Sequence, residues 1–284
     1  MNSPMVFTIL RAASLISVVV LKNNLPLVTY GSIYYAVLFG HFLMSFLASR
    51  RQAESLFRAP LYALAAVFGF GAFSMATWWP GLVLYFGIHF VFSETYTFAS
   101  MSEKAKRLTT SRIILNGFIY ANLLINYADF KFFPTAFLTV GLVTSFLWFL
   151  IRCSMEKEKS ADLIAFEAVG FLFALVAPAD NVMLDDVIFY HVLFWVWYPV
   201  TKQWNGTVPW KYLGATAAVT GGFFLFTPSG AAAIFDRGDW EIWSIVVGYF
   251  HVTSSFALSK HNPKWLVRFF SPSKFPAQIP EMAV

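Results

Sequence analysis

Charge is scarce in this chain. Lys, Arg, Asp and Glu make up 12% of its 284 residues, against about 25% in an ordinary soluble domain. That shortage excludes a conventional solvated surface, so most side chains must face lipid or protein. Cysteine is scarcer still. The single Cys153 excludes an intrachain disulfide and any metal site built from several thiolates. Sequence repeats and low-complexity segments are absent. No long polar stretch remains to form a separate soluble domain.

What is present is apolar: 58% of residues are hydrophobic and 19% are aromatic, with a mean hydropathy of +0.63. Apolar runs of about 20 residues recur along the chain, the length that crosses a bilayer as a helix. The expected fold is all-α, a polytopic transmembrane helical bundle of about nine or ten spans. Helices are expected at 5–21, 25–49, 57–79, 80–100, 112–130, 132–152, 162–178, 187–203, 212–230 and 241–260. Residues 1–260 read as one membrane domain and 261–284 as a proline-bearing C-terminal tail. The first segment has the length of a signal peptide, but Arg11 interrupts it and no small-residue cleavage pattern follows. It reads as a first helix, spanning or interfacial. Trp78-Trp79-Pro80-Gly81 reads as a tight hairpin with interfacial tryptophans.

The few charges are strongly sorted. One set of loops carries Arg50, Arg51, Arg58, Lys104, Lys106, Arg107, Arg112, Arg152, Lys157, Lys159, Lys202, Lys211, Lys260, Lys264, Arg268 and Lys274. The opposite set carries Lys22, Lys131 and Arg237, among the acids Asp129, Asp180, Asp185, Asp186, Asp236, Asp239 and Glu241. The positive-inside rule makes the first set and the C-terminus cytoplasmic, as in a bacterial inner membrane. Basic loops beside an anionic leaflet account for the net charge of +5 without nucleic acid. Asn205-Gly206-Thr207 matches a glycosylation acceptor, but it falls in an expected cytoplasmic loop and is set aside.

Four histidines lie inside apolar segments: His41, His89, His191 and His251. Under this topology their helices all run from outside to cytoplasm. Three of them precede the first cytoplasmic charge by roughly 15 Å of helix. Ionisable residues are costly in a bilayer, so such a set is a functional-site hypothesis. Neutral imidazole is also the commonest ligand for iron, copper and zinc. Four of them from four helices can surround one ion. The plainer alternative is that each histidine hydrogen-bonds a neighbouring helix. His261 follows the last helix and lies outside the layer.

Glu94, five residues after His89, reads either as a carboxylate that orients that imidazole or as a helix-end glutamate near the headgroups. Glu167 reads as a second carboxylate behind the site or as an interhelical hydrogen bond. Asn116, Asn122 and Asn126 read as interhelical hydrogen bonds. Tyr190, Trp195 and Trp197 surround His191 in sequence and are candidates for lining a pocket for a long apolar substrate.

The layout resembles the Brp/Blh family of integral-membrane β-carotene dioxygenases. The resemblance spans about residues 35 to 260. It rests on Leu38-Phe39-Gly40-His41-Phe42, on His89 with Glu94 five residues later, on Phe166-Glu167-Ala168-Val169-Gly170, on Tyr190-His191 and on Phe250-His251-Val252. The chain departs from the family in three places. The proline and glycine flanking the first histidine are missing, Ser45 stands where the family has an acid, and Trp195 stands where it has another histidine. The resemblance implies Fe(II) held by the four histidines, and oxidative cleavage of a lipophilic, carotenoid-like polyene as the reaction. Two other readings use the same histidines: a multi-pass transporter passing protons or ions, and a subunit binding haem or pigment through axial histidines.

Overall fold

A backbone in an apolar surrounding must satisfy its own N–H and C=O groups, and helices do so within one segment. The computed structural model follows that rule. It describes residues 3–48, 69, 79–99, 103–124, 134–156, 161–176, 182–202, 210–234 and 236–258. Among the described residues there are ten helices and no strand. They are α1 (Ser3–Asn24), α2 (Leu27–Ala48), α3 (Trp79–Ala99), α4 (Glu103–Arg107), α5 (Thr109–Leu123), α6 (Thr135–Ser154), α7 (Ala161–Val176), α8 (Leu184–Lys202), α9 (Trp210–Phe226) and α10 (Arg237–Leu258). Three helical stretches, Met5–Asn24, Leu27–Leu47 and Thr135–Ser154, are long and apolar enough to cross a membrane. Apart from residues 69 and 79, the helix expected at 57–79 lies outside the described residues, as do the tail beyond Leu258 and the residues Asn126 and His261.

Local chemistry sets the helix ends. At the start of α10, Asp236 and Asp239 cap one another's backbone N–H groups, at 2.9 and 3.2 Å. This reciprocal box starts α10 four residues earlier than the apolar run alone suggests. At α8 the Asp186 carboxylate accepts the Met183 N–H at 2.7 Å, again moving the start forward. α9 stops at Phe226, before Thr227-Pro228. Its last carbonyls are taken by the Thr227 hydroxyl and by the N–H of Ala232, at 2.7 and 2.8 Å.

Seven helices close a ring by successive contacts: α1 on α8, α8 on α2, α2 on α10, α10 on α3, α3 on α5, α5 on α7, and α7 back on α1. α6 packs on α5 and α7, and α9 on α2, both outside the ring. α1 is therefore part of the bundle wall. The polarity of the molecule is inverted relative to a soluble protein. Large apolar side chains such as Leu84, Val140, Leu147, Leu172, Ile242 and Val246 are exposed, whereas Arg11, Arg112, Glu94 and Glu167 are buried. Soluble proteins almost never bury such charges and rarely present so continuous an apolar exterior. That inversion suits a lipid surrounding.

One sequence expectation is corrected here. Arg112 is no loop charge; it lies in α5 with no exposure. Asp186, one of the acids of the opposite set, lies in the first turn of α8. It is buried and ties three helix ends together through Lys22 of α1 and the Tyr30 hydroxyl of α2.

Candidate metal centre

α2, α3, α8 and α10 each contribute one histidine, and the ring of helices brings the four side chains together. His41 lies 4.9 Å from His251, His251 lies 5.7 Å from His89, and His89 lies 5.1 Å from His191, measured between ring centroids. Each ring is therefore well within one helix diameter, about 10 Å, of the next. His41, His89 and His191 are buried, and His251 is partly so. His89 Nε2 and His191 Nε2 stand 3.3 Å apart. His41 Nε2 lies 3.4 Å from Ser45 Oγ, one turn on. A hydroxyl thus stands beside this imidazole.

Beside the histidines lies a second constellation, which the sequence reading did not assemble. Arg11 of α1 donates from Nη1 to Phe166 O at 2.8 Å and to Glu167 Oε2 at 3.2 Å. Its Nε donates to the Tyr190 hydroxyl at 3.2 Å and its Nη2 to Asn116 Oδ1 at 3.3 Å. Arg112 donates to Glu167 Oε1 at 2.6 Å, to Glu94 O at 3.1 Å and to Thr95 O. Glu94 Oε2 completes the group 3.4 Å from Arg11 Nη2. Two guanidiniums and two carboxylates balance, which is what allows all four to be buried. Gly170 makes the room: a Cβ there would stand 2.5 Å from Arg11 Nη2. The sequence did carry a signal for this group. Arg11, Glu94 and Glu167 each interrupt an apolar run, and such residues inside a bundle pair with one another.

Glu94 joins the two constellations, though not in the expected way. Its Oε1 faces His191 Nδ1 at 3.9 Å, across from α3 to α8. The sequence reading assigned it to His89. Five helical residues turn through about 500°, so positions 89 and 94 point roughly 140° apart and cannot share a face. Glu167 faces the two arginines, which fits the interhelical reading given to it. Asn122 donates to Leu138 O of α6 at 2.9 Å, an interhelical hydrogen bond as expected.

All four histidines line one cavity of about 70 Å³, where a single water needs about 10–15 Å³ on the same measure. Its other walls include Tyr34, Tyr35, Phe42, Tyr85, Phe86 and Tyr249, and it reaches Asp185 and Glu241 near the starts of α8 and α10. Tyr190, Trp195 and Trp197 do not border it. The cavity-facing positions of α8 are Leu184, Asp185, Ile188, His191 and Val192. Tyr190 turns away to the Arg11 network, and Trp197 is exposed on the outside of the bundle. Trp195 packs against the His191 ring at 6.1 Å.

The donor set suits a metal ion in three respects: four imidazoles of similar depth, a carboxylate behind one, and a hydroxyl beside another. The 3.3 Å between the two Nε2 atoms also suits a shared ion. Nitrogens bound to one ion at about 2.0–2.1 Å stand roughly 2.8–3.4 Å apart. The rings nonetheless meet edge to face. Among the described residues, no group of three or more His, Cys, Asp or Glu is arranged to hold an ion as it stands. No protein-family model matches the chain, and comparison with curated proteins and with solved structures returns no similar protein.

Proposed function

We propose that the protein is a membrane-embedded non-haem iron oxygenase acting on a lipophilic polyene, with His41, His89, His191 and His251 as the metal ligands. One observation carries this reading: four imidazoles from four helices converge on the wall of a single aromatic-lined cavity. Bound ferrous iron would supply the activation of dioxygen. The chain supplies everything else. The imidazoles hold the ion through neutral nitrogens, and Glu94 stands behind His191 to set its direction. Tyr34, Tyr85, Phe86 and Tyr249 give the cavity flat faces against which a conjugated chain can lie. The resemblance to the Brp/Blh enzymes supports a carotenoid-like substrate.

Neither rival reading gains from the structure. The 3.3 Å contact leaves no space for a porphyrin between His89 and His191. The glycine-bearing α9 is a continuous helix, with no break of the kind transporters place at their binding sites. The deciding experiment is metal analysis of the purified protein, paired with expression in a carotenoid-producing bacterium. Iron near one per chain and loss of polyene colour are expected. A protein without metal defeats the reading, and a strong Soret band favours haem instead.

The proposed orientation in a bacterial inner membrane has nine or ten spans, with the basic loops and C-terminus cytoplasmic. Removing Arg112 from the loop charges leaves fifteen against three, so the bias stands. Reporter fusions at Lys106 and at the C-terminus are both expected to read cytoplasm; a periplasmic signal at either reverses the orientation.

A further inference from the structure

We propose that Arg11 is a positioning residue for His191, acting through Glu94. Glu94 lies between the two constellations. Glu94 Oε2 lies 3.4 Å from Arg11 Nη2, and its Oε1 lies 3.9 Å from His191 Nδ1. The opposite nitrogen of the same imidazole, Nε2, faces His89 at 3.3 Å. An imidazole that directs its Nδ1 proton to a carboxylate keeps the Nε2 lone pair for whatever lies on the other side. The direction of Glu94 therefore decides whether Nε2 presents a lone pair or a proton to the cluster.

Glu94 cannot set that direction alone, because a carboxylate rotates about its own stem. Arg11 is the immobile partner. Its planar guanidinium is held from three other helices by Phe166 O, Glu167, Asn116 and the Tyr190 hydroxyl. It lies 4.3 Å above the Phe166 ring. With one oxygen beside this anchor, the other is aimed at α8. The same contacts could serve only to tie α1 into the bundle. That role affects stability and leaves the tautomer of His191 untouched, so the two can be told apart.

The test uses the full-length protein in lipid nanodiscs, labelled with ¹⁵N-histidine and stripped of metal by chelation, at fixed pH. His191 is assigned by comparison with His191→Asn. In the wild type, the tautomer protonated at Nδ1 should dominate at His191. Arg11→Gln should give a mixture of both tautomers, and Arg11→Lys, which keeps the charge and loses the fork, should lie between them. Arg11→Lys also serves if Arg11→Gln does not fold. The second readout is Zn(II) affinity and rests on the metal-site reading. Arg11→Gln should weaken it by about 10- to 100-fold, as for loss of a partner behind a ligand. Combining it with Glu94→Gln should add no further loss. An unchanged His191 tautomer in every folded Arg11 variant overturns the proposal, as do additive losses in the double variant. A tautomer shift in a protein that binds no metal upholds the positioning role and defeats the metal site. Metal binding with an unmoved tautomer does the reverse.

Discussion

Replacing His89 by alanine is expected to remove bound metal and abolish activity, whereas His261→Ala should leave both nearly intact. His89 is the middle of the cluster. Its ring is the one that neighbours both His191 and His251, and its Nε2 stands 3.3 Å from His191 Nε2. Losing it separates His191 from the His41–His251 pair, so at most two imidazoles remain together. Two neutral imidazoles hold an ion poorly beside the three or four protein ligands of stable sites. The measurement is iron per chain in each purified variant, with polyene bleaching as the activity readout. A thermal unfolding scan separates ligand loss from misfolding. A folded His89→Ala protein that keeps wild-type iron would remove the cluster from consideration as the metal site.

Glu167→Ala should be the most damaging substitution for stability, by about 3–5 kcal/mol. Its two oxygens serve two different guanidiniums, Arg11 at 3.2 Å and Arg112 at 2.6 Å, and all three side chains are buried. Alanine leaves two cations facing each other with one carboxylate, Glu94, near only one of them. Glu156→Ala provides the contrast. Its partner Arg107 is 54% exposed, and solvent-screened pairs contribute roughly 0–1 kcal/mol. Denaturant titration of both variants in the same detergent checks the difference. Similar losses would mean that the buried network does not hold the bundle together.

The class of protein was legible from composition, because a membrane demands long apolar runs whatever the fold. Three of the described helices are long and apolar enough to cross one. Depth was legible as well. Position along a helix follows from residue number at a fixed rise, so His41, His89, His191 and His251 could be placed in one layer before any contact was known. The metal itself and the polyene substrate remain the proposal tested above.

Direction around each helix was not legible. A soluble helix reveals its inner face by an apolar stripe, but a helix between lipid and protein is apolar on both sides, and the stripe disappears. That is why Trp197 was assigned to a pocket and lies outside, why Tyr190 turns to Arg11, and why Glu94 was paired with His89 on its own helix and meets His191 on another. Arg112 shows the same gap at a helix end. A cation there reads as a loop charge until a neighbouring helix supplies Glu167. The sequence by itself determined that the chain forms apolar helices interrupted at a few polar positions, because these are local properties of the chain. Only the tertiary structure decided which polar groups meet, because that depends on the rotation of each helix against its neighbours, and no single segment encodes it.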